Sequence, residues 1–103
     1  MFLIQILLPL RDNQGKPIAR RHFTGFSTRL TGKFGGVTVY SRAPATGLWK
    51  KNSPGKVERD DIVIFEVMSA KLARQWWSRE RRHLESLFRQ HEVIVRAFRI
   101  SAL

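Results

Sequence analysis

Apolar positions along this chain follow two periods, and the change from one to the other marks out six elements. Phe2 to Leu8 is apolar on both alternating sets except at Gln5, the pattern of a central strand covered on both faces. Pro9 ends the run, and Arg11-Asp12-Asn13-Gln14-Gly15 reads as a turn. Ile18, His22, Phe26 and Leu30 then recur every fourth residue, with Phe23 beside them. That spacing predicts a helix with Pro17 in its first turn, stopped by Gly32, Gly35 and Gly36. Val37 to Arg42 alternates as a second strand.

Ala43 to Val57 holds two prolines, two glycines and the turn signal Asn52-Ser53-Pro54-Gly55. We expect a basic, extended hairpin here, held down by Leu48 and Trp49 and able to add a short fifth strand. Ile62 to Met68 is the third strand. Lys71 to Gln90 is a long helix of strong helix formers without Gly or Pro, with His91 beside its negative pole. Glu92 to Ile100 closes the chain as the fourth strand. The order is β-α-β-β-α-β. With right-handed crossovers it makes one ferredoxin-like α+β domain over residues 1–103: a four-stranded antiparallel sheet with both helices on one face.

On the long helix, steps of about 100° place Leu72, Ala73, Trp76, Trp77, Leu84, Leu87 and Phe88 on one apolar arc. Lys71, Arg74, Arg79, Arg81, Arg82 and Arg89 take the other side, relieved by Glu85. Glu80 interrupts the apolar arc one turn beyond the tryptophans, and His83 lies with it. A carboxylate there loses solvation and is pushed toward its neutral form unless a cation meets it. Two readings follow. Either Glu80 pairs with His83, His22 or an arginine and fixes the helix, or it serves a pocket as proton donor or acceptor. In the pocket reading Trp76, Trp77 and Tyr40 are walls, His22 and His83 add polarity, and Arg42 holds an anionic group through its planar fork.

Helices on one face leave the other sheet face uncovered, yet the strands are not polar enough to be wet there. Phe2/Ile4/Ile6/Leu8 and Leu3/Leu7 are both apolar, as are Val63/Phe65/Val67 and Ile62/Ile64/Met68, with Glu66 the single charge on the third strand. An apolar patch of that size marks an interaction surface, and a homodimer packed sheet to sheet covers it most simply. In this strand-helix order and apolar pattern the chain resembles the dimeric α+β-barrel group, whose ferredoxin-like units pair through their sheets. That resemblance implies a homodimer; some members are cofactor-free oxygenases or isomerases and others only bind. Gly36-Val37-Thr38-Val39-Tyr40-Ser41-Arg42-Ala43-Pro44, followed by Gly47-Leu48-Trp49-Lys50, also resembles small bacterial proteins of unassigned activity.

Composition narrows the chemistry. The 103 residues, 43% hydrophobic and 11% aromatic, support one real core. The absence of cysteine rules out disulfides, thiolate metal sites and cysteine nucleophiles. Met1 to Leu10 is shorter than the roughly twenty residues of a membrane helix and carries no signal-peptide flanks, so we expect a cytoplasmic protein without membrane contact. No phosphate loop, dinucleotide fingerprint, HExxH or nucleophile elbow is present, and the three histidines lack metal-ligand spacing, so no cofactor or metal is expected.

Charge is lopsided. The net charge is +11, and residues 1–57 hold ten Lys or Arg against one acid. Arg20, Arg21, Lys50, Lys51, Lys56, Arg74, Arg81 and Arg82 are the candidates for phosphate contact. The third strand lacks the glycine-aromatic pattern with which ferredoxin-like RNA binders stack bases. The sequence therefore reads first as a homodimeric binding or assembly domain, with room for a small acidic or aromatic ligand between helix and sheet. Nucleic-acid binding through the basic surface and a small cofactor-free enzyme using Glu80 are the alternatives.

Overall fold

The computed structural model describes residues 1–50 and 57–103, with side chains placed outside 41–60. Its elements run β1 (Phe2–Pro9), α1 (Arg20–Phe34), β2 (Thr38–Lys50), β3 (Val57–Ser69), α2 (Arg74–Leu87) and β4 (Ile94–Arg99). The sheet has the order β2-β3-β1-β4, antiparallel at every pairing. This is the ferredoxin-like α+β fold that the alternating periods predict. Among the described residues the hairpin adds no separate strand; its arms prolong β2 and β3. Tyr40 pairs with Ile64 and Ala45 with Ile62, so β2 carries extra residues in between. Pro44 falls inside that bulge, where a missing N–H breaks no ladder bond.

Both helices are shorter than their periodicity predicts. Pro17 does not open α1: it forms a bridge with Arg11, and the Ile18 N–H donates to the Leu10 carbonyl, so the chain doubles back before the helix starts at Arg20. α1 runs through Gly32 and ends at Gly35, which adopts a left-handed φ of 83° and donates its N–H to Thr31. α2 starts at Arg74 rather than Lys71. It ends at Leu87 rather than Gln90 because Phe88 turns fully into the core and Arg89 takes a positive φ of 50°. His91 therefore lies beyond the helix and does not cap it.

One alternating set of each central strand meets the helices. Ile4, Ile6 and Leu8 of β1 and Val63, Phe65 and Val67 of β3 are buried against Phe26 and Leu30 of α1 and Trp77, Leu84 and Phe88 of α2. Phe26 meets Phe65 edge to face with centroids 5.0 Å apart, a geometry the ring quadrupoles favour. The helices lie antiparallel: Phe23 packs on Phe88 at one end, and Phe34 on Trp76 and Trp77 at the other. Leu3, Gln5, Leu7, Ile64, Glu66 and Met68 consequently look away from the helices.

Candidate functional site

Glu80 and His83 come together, but around a third residue. Arg29 of α1 donates to the Glu80 carboxylate, and its other terminal nitrogen lies 3.4 Å from His83 Nε2. The Glu80 side chain is only 14% exposed, so the guanidinium supplies the cation that a half-desolvated carboxylate requires. This is the ion-pair reading of Glu80. Nothing in the sequence around Arg29 singles it out from the other α1 cations; only the antiparallel helix packing brings it opposite Glu80.

Trp76 and Trp77 pack on each other edge to face at 4.7 Å, and Phe34 stacks on Trp77 at 5.5 Å with ring planes 12° apart. The Lys33 ammonium sits 4.4 Å over the Trp76 ring. Tyr40 is not part of this wall. It lies on the opposite face of the sheet, so the pocket drawn from the sequence loses one of its sides. His22 stands at the other end of the helical layer, tilted against Phe88 at 5.9 Å, and borders a cavity of about 460 Å³ with Asp12, Lys16, Ser86 and Arg89. There the backbone N–H groups of Lys16 and Gln14, with the nearby Arg89 and Lys16 cations, hold the Asp12 carboxyl below its ordinary value. The side chains of Arg42 and Lys50, and Lys51 and Lys56 altogether, lie outside the described residues.

The basic candidates that are described do not converge. Arg20 and Arg21 open α1, whereas Arg74 opens α2 at the opposite end of the antiparallel pair. Arg81 borders a groove between α2 and β4, and Arg82 is exposed. Among the described residues no group of three or more His, Asp or Glu is placed to hold a metal ion. No helix among them is long and apolar enough to cross a membrane.

The open sheet face carries an arrangement that sequence reading did not assemble. Register places Thr38, Glu66, Gln5 and Arg96 in one row across all four strands. Arg96 Nε donates to Gln5 Oε1 at 2.8 Å, Gln5 Nε2 donates to Glu66 Oε1 at 2.6 Å, and the Tyr40 hydroxyl donates to Glu66 Oε2 at 3.3 Å. The chain of bonds satisfies each partly covered polar group and runs from a cation at one edge to a carboxylate near the other. Apolar residues flank it on both sides: Leu3, Met68 and Phe98 in one row, Leu7, Ile64 and Ile94 in the other. Met68 is 55% and Phe98 46% exposed. The signal was present in Gln5 and Glu66, the only polar breaks in β1 and in the apolar run of β3, but their alignment is a property of register.

Comparison with known proteins bears on the fold. No family model matches the chain, and no curated protein does. A solved structure, the divalent cation tolerance protein (Cut A1) from Thermus thermophilus, superimposes with a TM-score of 0.63 over 99% of this chain and 86% of that one. Identity is 13%, so the likeness is one of architecture.

Proposed function

We propose that this protein is an assembly module that pairs with a second copy of itself through the open face of its sheet. One observation carries the reading: a hydrogen-bonded polar row between two apolar rows, on the sheet face that the helices leave uncovered among the described residues. An apolar face of this kind is costly in water and becomes favourable when a matching surface covers it. The row also argues for a second copy in particular. It is positive at Arg96 and negative at Glu66, so two copies related by a two-fold axis parallel to the strands lay their rows antiparallel. Each arginine then approaches the carboxylate side of the other row. Such a surface is self-complementary, the requirement of an isologous interface.

Light scattering on a sizing column tests this directly. A mass near twice 12.0 kDa is expected for the unmodified chain. Leu7→Asp, which places a charge in the middle of the face without touching the core, should give a folded monomer. An unmodified chain that stays monomeric at concentrations of about 100 μM, where even modest dimers form, overturns the proposal.

A further inference from the structure

β4 lies at the edge of the sheet, and among the described residues no strand pairs with its outer side. The Ile100 N–H donates to the Met1 carbonyl, which makes Met1 and Ile100 a hydrogen-bonded pair. Antiparallel ladders alternate, so Phe98, Arg96 and Ile94 also turn their backbone groups toward β1. Val93, Val95, Ala97 and Arg99 turn theirs outward. Just before β4, the Val93 N–H is taken by the Glu85 carboxylate of α2 at 2.9 Å. No other described strand or side chain takes the outward groups of Val95, Ala97 and Arg99.

Beside this edge runs a groove of about 240 Å³ between β4 and α2. Leu72, Val95 and Ala97 give it an apolar floor, and Arg74, Ser78 and Arg81 line its wall. Spacings of four and three residues put those three on one helical face. Neither arginine has an ion-pair partner among the described residues, where the one ion pair is Arg29 with Glu80. The groove thus offers strand donors and acceptors on one side and two guanidinium groups with a hydroxyl on the other.

We propose that the outer edge of β4 and the adjoining α2 groove bind an acidic peptide in extended conformation, which adds to the sheet as a fifth strand. Alternate residues of an added strand point to the same side. Those facing α2 are Asp or Glu, set against Arg74 and Arg81; those on the other side are apolar, beside Ile94 and Phe98. Main-chain bonds supply affinity, and the charges on alternate positions supply selectivity. A second copy's β4 is a poor occupant of the edge, because joining the two edges sets the Arg74 and Arg81 pair of each copy beside that of the other. The added strand extends the sheet in its own plane, so its main-chain bonds to β4 and its contacts with Arg74 and Arg81 do not draw on the open face.

The test uses a fluorescein-labelled peptide of about eight residues in which Glu alternates with Val, titrated by anisotropy against the full chain. Saturable binding is expected, with the amide hydrogens of Val95, Ala97 and Arg99 gaining protection from exchange. Arg74→Glu with Arg81→Glu should weaken binding by roughly tenfold or more. Of two peptides N-methylated on opposite alternate sets, the one that loses its β4-facing donors should fail to bind. The proposal is overturned by absence of binding, by equal binding of both methylated peptides, or by binding that leaves the three amides unprotected. It is also overturned if a single-stranded oligonucleotide of equal charge binds as tightly with the same loss on charge reversal, which would assign the groove to phosphate.

Discussion

Arg29 of α1 and Glu80 of α2 form an ion pair that joins the two helices, with the carboxylate the more buried partner at 14% exposed and the guanidinium 44% exposed. Unequal burial makes the pair asymmetric. Removing Glu80 leaves a cation that water can reach; removing Arg29 strands a half-desolvated carboxylate. Glu80→Gln should therefore cost about 1 kcal/mol and Arg29→Met somewhat more, about 1–2 kcal/mol, values between those of exposed and buried pairs. Urea unfolding of both variants and the double variant measures this. A coupling near zero would show that the pair does not hold the helices together and would reopen a chemical role for Glu80.

Two kinds of glycine in and after α1 give the same substitution opposite signs. Gly35 holds a φ of 83°, and an added Cβ would meet no atom within 4 Å, so the cost of Gly35→Ala is backbone strain alone. A loss of about 1 kcal/mol is expected. Gly25 and Gly32 lie inside the helix, also with open space around them. Alanine at either should stabilise by about 0.5–1 kcal/mol through helix propensity. Thermal melts of the three variants settle the signs.

Asp12 gives the acid side of the stability profile a definite direction. Backbone N–H bonds and nearby cations favour its ionised form, so its carboxyl in the folded chain titrates below the ordinary value. A depressed carboxylate contributes stability that is present above its unfolded value and is lost as pH falls through the folded one. Carbon-detected NMR titration should find the Asp12 midpoint below the ordinary aspartate value. The Asp12→Asn variant should lose less stability than the unmodified chain as pH drops below about 4. Equal acid sensitivity in both would show that the turn does not draw on this charge.

Much of the architecture was legible because it depends on periods within single elements. The two-sided apolar pattern of Phe2–Leu8 and Ile62–Met68 identified the central strands and implied a second covered face. Helix ends were less legible because tertiary partners set them. Pro17 pairs with Arg11 instead of opening α1, and Phe88 leaves α2 to enter the core. Pairings between elements were out of reach. Arg29 meets Glu80 only because the helices run antiparallel, and Tyr40 joins Glu66 only because β2 and β3 pair in the register they do.

The polar row gives the proposed dimer a test that hydrophobic substitutions cannot, because it distinguishes two ways of stacking the same faces. In the antiparallel arrangement each Arg96 approaches the Glu66 side of the other copy. Glu66→Arg makes both ends of the row positive and Arg96→Glu makes both negative, so either change alone sets like charges across the interface. Each should weaken dimerisation by about tenfold, equivalent to ~1.4 kcal/mol. The double variant reverses the polarity in both copies and should recover most of that loss, since opposite charges again meet. Parallel rows would instead place arginine over arginine in the unmodified protein, and Glu66→Arg would only replace one like-charge contact by another. Sedimentation equilibrium on the four proteins decides between them. Two weakened single variants and a restored double one support antiparallel rows; single variants that dimerise like the unmodified chain remove the row from the interface.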